Sequence, residues 1–395
     1  MNLAPLSLTP YRDAMIAKLW RVLRRRGAAG PKTVILHVGA GKTGTSAIQT
    51  WLARNLRRLE KHGIAYPEPP EGFDLAVEGK ITTGNATPIV EYVVQRRRPR
   101  SFDEAAFFAW LDGVLRRPAD TVLFSSETLP GGDRKRFAAL KAHLEERGCR
   151  VEIIYAVRNA ADHVFSRWGQ MVKRHGSTLT WDQFCRDGTV PFLRVLDSFS
   201  GIFGPDAVHV INYERHKHDI VRRMMSIVTP ADLGDTRVGR VNRSLSMREM
   251  ELMRVFNTEL SRHKPPAVVS NRLATDLSDH FIYAADLPPM RLALTAEQFA
   301  RLNETLGETV ETLNRRYLPD EPILVADPKV VTGAIPPVAL GEVETRLMRE
   351  LAACAVRGDV FIHMLAAEGD CLQALSRAVQ AALADSGAEP ARRAG

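Results

Sequence analysis

A short apolar segment, residues 33–38, runs directly into a glycine-rich turn and then into a helical pattern. The turn reads G-x-G-K-T-G-T-S, from Gly39 to Ser46. A strand, a glycine loop and a helix N-terminus in this order bind phosphate groups. Backbone N–H groups converge there, and the helix dipole adds about half a positive charge. Lys42 adds a full positive charge. We therefore expect an anion site at the carboxyl end of the first strand.

The loop departs from the Walker A sequence, G-x-x-x-x-G-K-[ST], at its first glycine. Counting back from Lys42, Gly41 matches the second glycine, but Leu36 stands in the strand where the first is required. A further glycine, Gly44, follows the lysine instead. Taken alone, the loop leaves a generic nucleotide-binding NTPase open as an alternative.

With its second glycine after the lysine, the loop resembles the phosphosulfate-binding loop of sulfotransferases that use 3′-phosphoadenosine 5′-phosphosulfate (PAPS). The branch concerned is bacterial and is similar to the carbohydrate sulfotransferases. The departures are Ala40-Gly41 before the lysine and Ser46-Ala47 where Thr-Ser is usual. The resemblance covers about residues 33–260 and implies binding of PAPS without a metal ion. The cofactor-binding residues it implies in this loop are Gly39, Gly41, Lys42, Thr43, Gly44, Thr45 and Ser46.

A second stretch of the chain carries an arginine and a serine eight residues apart. Arg158 ends the apolar run 151–157, and Ser166 lies on the helical pattern that follows. About two helical turns bring the serine to the side of the arginine, so both can face one phosphate. The pair resembles the 3′-phosphate motif of the sulfotransferases, with Ala160 in place of the usual proline. An ordinary ion pair and an unrelated helix serine are the alternative.

Glu127 is the carboxylate at the end of the strand predicted over 121–125. A magnesium-dependent kinase needs a strand-end carboxylate for its metal, and no matching aspartate follows Glu127. The resemblance implies instead that Glu127 takes the proton of the acceptor hydroxyl, while Lys42 hydrogen-bonds the oxygen that leaves. A helix-capping or ion-pairing carboxylate is the alternative for Glu127. His37, inside the first strand, is expected to be a core residue with its polar atoms satisfied.

Strands alternate with helical patterns, which predicts an α/β fold: a parallel sheet flanked by helices, as in P-loop NTPases, with a helical C-terminal extension. In such folds ligands bind at the carboxyl ends of the strands. The predicted strands cover 33–38, 121–125, 151–157 and 207–212, with a short extended piece at 64–67. The predicted helices cover 47–62, 86–97, 101–117 (from a capping box at Ser101), 133–147, 160–175, 191–203, 214–229, 246–262, 295–316, 339–356 and 358–385. The predicted organisation is an N-terminal arm 1–30, a sulfotransferase-like P-loop domain 31–318, a helical extension 319–385 and a disordered tail 386–395.

The net charge of +8 is concentrated at the N-terminus. Residues 1–32 contain seven basic residues and one acidic residue, so they carry +6 of it and the rest of the chain +2. A second basic cluster, Arg96-Arg97-Arg98-Pro99-Arg100, is local. The body is therefore not basic enough to indicate binding to nucleic acid. Residues 11–26 form a basic amphipathic pattern, which fits either a peripheral contact with a membrane surface or an arm packed on the body or on a second copy of the chain.

Four widely spaced cysteines suit a reducing compartment, and the N-terminus lacks a signal-peptide pattern. We expect a cytoplasmic enzyme, at most peripheral to the inner face of the membrane. The resemblance implies a sulfotransferase that moves the sulfuryl group of PAPS to a hydroxyl of a carbohydrate, glycolipid or similar acceptor by in-line displacement. It also implies that residues 81–86 lie beside the acceptor pocket and that 242–246 lie near the cofactor, a helix N-cap being the alternative for the latter. The alternative functions are a P-loop kinase or NTPase using Mg-ATP, and a non-catalytic nucleotide-binding interaction protein.

Overall fold

The part of the chain that the computed structural model describes is built on one parallel sheet. Its five strands are β1 (Lys32–His37), β2 (Ile64–Ala65), β3 (Thr121–Ser125), β4 (Cys149–Val157) and β5 (Val208–Asn212). They lie in the order β2-β3-β1-β4-β5, and every neighbouring pair is parallel. The predicted α/β class is confirmed. The described residues are 31–69, 72–79, 84–238, 244–284, 288–332 and 338–358.

Helices connect the strands and continue after the last one. They are α1 (Thr45–Arg54), α2 (Leu56–Lys61), α3 (Phe73–Glu78), α4 (Thr87–Val93), α5 (Glu104–Leu115), α6 (Arg134–Glu146), α7 (Ala160–His175), α8 (Trp181–Arg186), α9 (Phe192–Phe203), α10 (Tyr213–His216), α11 (Ile220–Val228), α12 (Met247–His263), α13 (Ala267–Ala284), α14 (Ala296–Tyr317) and α15 (Glu342–Arg357). Short 3₁₀ turns occupy Gln95–Arg97, Leu129–Gly131, Pro205–Ala207 and Pro328–Val330. Among the described residues, no helix is both long and apolar enough to cross a membrane.

The described chain divides into two compact units. The first comprises residues 31–157, 191–238 and 317–321 and contains the sheet, and the second comprises 158–190, 244–316 and 322–358. The predicted domain boundaries stay predictions. The arm 1–30, the second C-terminal helix predicted at 358–385 and the tail 386–395 lie outside the described residues, apart from Gly358.

Strand β1 and helix α1 contribute buried side chains to the core of the first unit. Ile35 and Leu36 in β1 are at most 1% exposed, as expected for a central strand covered on both faces. Trp51 and Leu52 of α1 belong to the same buried cluster as Met224 of α11. This packing holds the N-terminal end of α1 at the carboxyl end of β1.

In the second unit, an aromatic cluster and a buried amide tie the helices together. The rings of Phe165, Trp168 and Trp181 lie 5.0–6.0 Å apart between centroids. The Asn257 side-chain amide donates to the carbonyl oxygen of Val172 at 2.9 Å, which joins α12 to α7. The second unit is therefore a helical assembly with its own core.

Several predicted helix boundaries need correction. The helix predicted from a capping box at Ser101 begins instead at Glu104, because Oδ1 of Asp103 accepts the N–H groups of Ala105 and Ala106 at 2.8 and 3.1 Å. The helix predicted over 47–62 is interrupted at Asn55, and the one over 214–229 is two separate helices. Helix α13 was not predicted.

Candidate active site

The glycine loop leads from β1 into α1, whose N-cap residue is Gly44. Gly44 has φ +81°, and a Cβ there would lie 3.1 Å from Ile220 Cγ2 and 3.2 Å from Tyr213 Cε2. The backbone conformation therefore favours glycine, and a side chain at this position would also be tight against these two neighbours. The first N–H groups of α1 have no acceptor within the helix. Such groups are what the predicted anion site requires, and binding of an anion there stays a prediction.

Lys42 and Thr43 differ in their exposure to solvent. Lys42 is exposed and has a positive φ of 70°, a conformation that costs a residue with a side chain roughly 1–2 kcal/mol. Thr43 is fully buried, and its hydroxyl donates to the carbonyl oxygen of Ala40 at 2.5 Å. The loop thus keeps the Thr43 hydroxyl for its own backbone, while the residue before it lies at the surface.

Thr45 joins the loop to the predicted catalytic carboxylate. Its hydroxyl donates to Glu127 Oε2 at 3.3 Å. The position that a Cβ on Gly41 would take lies 3.7 Å from the same oxygen. β3 pairs with β1 in parallel, so the residues that follow the two strands meet at one edge of the sheet. The structure therefore brings Glu127, which is exposed, onto the glycine loop.

A buried polar network lies beneath the loop. His37 Nδ1 is 2.9 Å from Ser125 Oγ, and the Gln49 side-chain amide donates to the same hydroxyl oxygen at 3.1 Å. The backbone N–H of Ser125 donates to Asn85 Oδ1 at 2.7 Å, and the Asn85 amide donates to the carbonyl oxygen of Leu123 at 3.0 Å. These bonds fix the end of β3 two residues before the glutamate, and they connect it to α1.

His37 is a core residue with one unsatisfied atom. Burial lowers the pKa of His37 to about 4, so the imidazole is neutral at pH 7. Its Nε2 is buried and has no hydrogen-bond partner among the described residues. That atom lies 3.2 Å from the position of a Cβ on Gly39. The prediction of a core histidine whose polar atoms are all hydrogen-bonded is therefore right for Nδ1 and wrong for Nε2.

In the second unit, Arg158 and Ser166 lie together as the spacing predicted. Arg158 Nη1 donates to Ser166 Oγ at 3.0 Å. Arg158 Nη2 lies 3.3 Å from Asp162 Oδ1, so the ion pair given as the alternative is also present. The sequence analysis missed Asp162, although its position four residues after the arginine is the usual spacing of a helical ion pair. The common action of this pair and the glycine loop on one cofactor stays a prediction.

The two supporting segments are only partly described. Residues 81–83, 242 and 243 lie outside the described residues. Asn85 takes part in the buried network, and Ser246 is the N-cap of α12 in a capping box with Glu249. The helix N-cap given as the alternative for the second segment is therefore present. Among the described residues, no group of three or more His, Cys, Asp or Glu side chains is placed to hold a metal ion.

Comparisons with known proteins give matches among solved structures alone. No family model and no curated protein matches the chain. A solved structure that matches is a sulfotransferase from Alicyclobacillus acidocaldarius, at 19% identity over 59% of this chain and 97% of that chain, with a TM-score of 0.33. At this TM-score the likeness does not bear on the activity of the chain.

Proposed function

We propose that the chain is a sulfotransferase that moves the sulfuryl group of PAPS to a hydroxyl group of a carbohydrate, glycolipid or similar acceptor. The observation that carries the proposal is the meeting of three groups in the first unit. These are the N-terminus of α1, the positively charged side chain of Lys42 in the loop, and the carboxylate of Glu127 hydrogen-bonded to the loop by Thr45. An anion site with a base beside it is what sulfuryl transfer to a hydroxyl requires.

The residues of the loop fit a phosphosulfate group. Backbone N–H groups at the start of α1, the Lys42 ammonium and the half-buried Ser46 hydroxyl are suitable donors for phosphate oxygens. Glycine at position 41 leaves open the space next to Glu127 that a methyl group would enter. We propose that Arg158 and Ser166 bind the 3′-phosphate, with phosphate oxygens replacing the Asp162 carboxylate as the partner of the guanidinium.

The proposed mechanism assigns one task to each side chain. PAPS supplies an activated sulfuryl group and a phosphate leaving group. As the bond between sulfur and the phosphate oxygen breaks, Lys42 donates a hydrogen bond to that oxygen, on which negative charge develops. As the acceptor oxygen bonds to sulfur, Glu127 takes its proton. Because Thr45 holds Oε2 of the glutamate, the other carboxylate oxygen is the one proposed to receive the proton.

The orientation of Thr43 favours this function over a kinase that uses Mg-ATP. In P-loop NTPases, the hydroxyl of the residue after the lysine binds magnesium. Here that hydroxyl is fully buried and donates to the carbonyl oxygen of Ala40. A magnesium ion would have to break this bond and rotate the side chain out of the core. A sulfuryl donor needs no such change.

Ligand binding and sulfuryl transfer test the proposal together. Isothermal titration of the full chain with 3′-phosphoadenosine 5′-phosphate, with ATP and with Mg-ATP should show preference for the first ligand without added metal. Transfer of labelled sulfate from PAPS to a panel of polysaccharides should fall at least about 10²-fold in Lys42→Ala. It should be unchanged in Lys61→Ala, which removes an exposed lysine from α2. Magnesium-dependent preference for ATP, or full transfer by Lys42→Ala, would contradict the proposal.

A further inference from the structure

The basic cluster at residues 96–100 contains arginines of two kinds. Arg98 lies 4.7 Å above the centre of the Phe102 ring and donates to the carbonyl oxygen of Tyr92 at 2.6 Å. Arg136 of α6 lies 5.3 Å from the centre of the Tyr92 ring and 3.6 Å from Glu104. Stacking and hydrogen bonds give these two guanidinium groups a structural role.

The other arginines of the cluster have no such partners. Arg96, Arg97 and Arg100 are exposed. Among the described residues, none of the three has a carboxylate within ion-pair distance or a side-chain hydrogen bond. Like charges this close together repel each other, and the repulsion disfavours the folded arrangement unless an anion compensates it. The cluster therefore has three cationic groups to offer to an external ligand.

Arg96 lines a surface groove of about 490 Å³. Gly131 and Gly132 also line it, and Arg96 Nη2 lies 3.6 Å from the position that a Cβ on Gly131 would take. Asp133 lines the groove as well, but its Oδ1 accepts the backbone N–H of Arg136 at 3.1 Å as the N-cap of α6. Its carboxylate is thus already committed to a helix terminus.

The groove is close to Glu127 along a fixed piece of chain. The 3₁₀ turn Leu129–Gly131 begins two residues after the glutamate, and Leu129 is fully buried. Four residues of chain span at most about 14 Å, so Gly131 lies within that distance of Glu127. One oligosaccharide is long enough to reach both positions.

We infer that this groove is a subsite for an anionic acceptor, a saccharide that carries carboxylate groups. Arg96 in the groove and its exposed neighbour Arg97 would bind it while one of its hydroxyls faces Glu127. The inference rests on the proposed function and names the substrate class for it. A guanidinium group matches a planar carboxylate with two parallel hydrogen bonds. The uncompensated positive charge also attracts a polyanion from solution, and added salt screens this attraction.

Binding of matched oligosaccharides to the full chain tests the inference. The probes are an oligogalacturonate and its carboxyl-reduced counterpart of the same length, titrated calorimetrically in the presence of 3′-phosphoadenosine 5′-phosphate. The wild-type protein should bind the carboxylated probe more tightly than the reduced probe. This difference in affinity should become smaller as salt is added. The double variant Arg96→Ala/Arg97→Ala should weaken that binding by roughly tenfold or more. The control Arg57→Ala/Lys61→Ala removes two exposed charges from α2 and should bind both probes as the wild type does.

The outcomes separate this inference from the function on which it rests. Equal binding of the two probes by the wild type, or an unchanged affinity in the arginine double variant, would overturn the subsite. A single-stranded oligonucleotide that binds as tightly as the oligogalacturonate and loses as much in the double variant would also overturn it, and would indicate nucleic acid instead. Nucleotide titrations of the same samples report on the proposed function, because the double variant should bind 3′-phosphoadenosine 5′-phosphate as the wild type does.

Discussion

Replacing Gly39 by alanine tests the geometry of the loop directly. The backbone at this position does not need a positive φ, so only space decides the outcome. The new Cβ would lie 2.5 Å from the Cγ2 methyl of Thr45. Carbon atoms in contact prefer separations of about 3.5 Å, so the threonine must move by about 1 Å. Forced overpacking of this kind costs typically about 1–3 kcal/mol.

Part of this cost should appear in ligand binding, because Thr45 stands at the start of α1. Its displacement moves the first turn of the helix and disturbs the hydrogen bond to Glu127 Oε2. If about 1.4 kcal/mol of the cost falls on the bound state, the affinity for 3′-phosphoadenosine 5′-phosphate drops about tenfold. The remainder should appear as a lower free energy of unfolding for the protein without ligand.

A second substitution can remove the clash and leave the hydroxyl in place. Thr45→Ser deletes the methyl group and should by itself cost about 1 kcal/mol of stability. In the double variant Gly39→Ala/Thr45→Ser, the nearest atom to the new Cβ becomes His37 Nε2 at 3.2 Å, which a shift of a few tenths of an ångström relieves. The double variant should therefore be more stable and bind more tightly than Gly39→Ala alone. The coupling between the two positions should be about 1–2 kcal/mol.

Chemical denaturation measures the loss of unfolding free energy, and isothermal titration calorimetry measures the loss of affinity for 3′-phosphoadenosine 5′-phosphate. Gly41→Ala is the matched control, because its Cβ would meet nothing closer than Glu127 Oε2 at 3.7 Å. It should unfold within about 0.5 kcal/mol of the wild type. A Gly39→Ala variant that is as stable as the wild type and binds 3′-phosphoadenosine 5′-phosphate as tightly would exclude the clash with Thr45. A double variant with the same stability and affinity as Gly39→Ala would exclude it as well.

Three further predictions concern charged groups. Glu127→Gln should lower the transfer rate about 10²–10⁴-fold with unchanged binding of 3′-phosphoadenosine 5′-phosphate; undiminished turnover would place the base elsewhere. Arg158→Ala should weaken that ligand much more than an analogue without the 3′-phosphate, whereas equal losses in calorimetry would contradict the assignment. The Arg147 guanidinium holds the pKa of Asp112 below its usual value, so the carboxylate stabilises the fold above about pH 4 and loses this effect as the pH falls through its folded pKa. Asp112→Asn should therefore cost up to about 1 kcal/mol at pH 7 and progressively less below pH 4 in thermal unfolding; a constant difference would exclude this cause.

The sequence was most informative where local signals and burial agree. Helix α7 has the predicted bounds because Gly176, with φ +64°, ends it immediately after the last residue of its amphipathic pattern. The apolar runs predicted the strands well, since a strand buried on both faces leaves little choice of residue. The parallel arrangement then follows from the alternation with helices. It places Glu127 beside the glycine loop.

The features that escaped prediction depend on tertiary contacts. Helix α13 begins after Pro266 with Val268 and Val269, which are exposed β-branched residues that favour strands when taken alone. Nothing local indicates that Ser125 and Asn85 would meet beneath the loop, because their contact depends on where the segment before α4 crosses the end of β3. The inward turn of Thr43 is likewise a result of packing.

The loop that carries the proposed function and the residues beneath it contain two features that destabilise the folded protein. Lys42 occupies a left-handed conformation that costs roughly 1–2 kcal/mol, which a glycine would avoid. Beneath it, an unpartnered buried atom such as His37 Nε2 costs roughly 1–3 kcal/mol, which an apolar ring would avoid. Strain of this kind persists at functional sites, where the surrounding structure enforces it. The strained residue is a lysine two positions before the N-cap of α1, so an anion bound at that helix N-terminus would offset the cost.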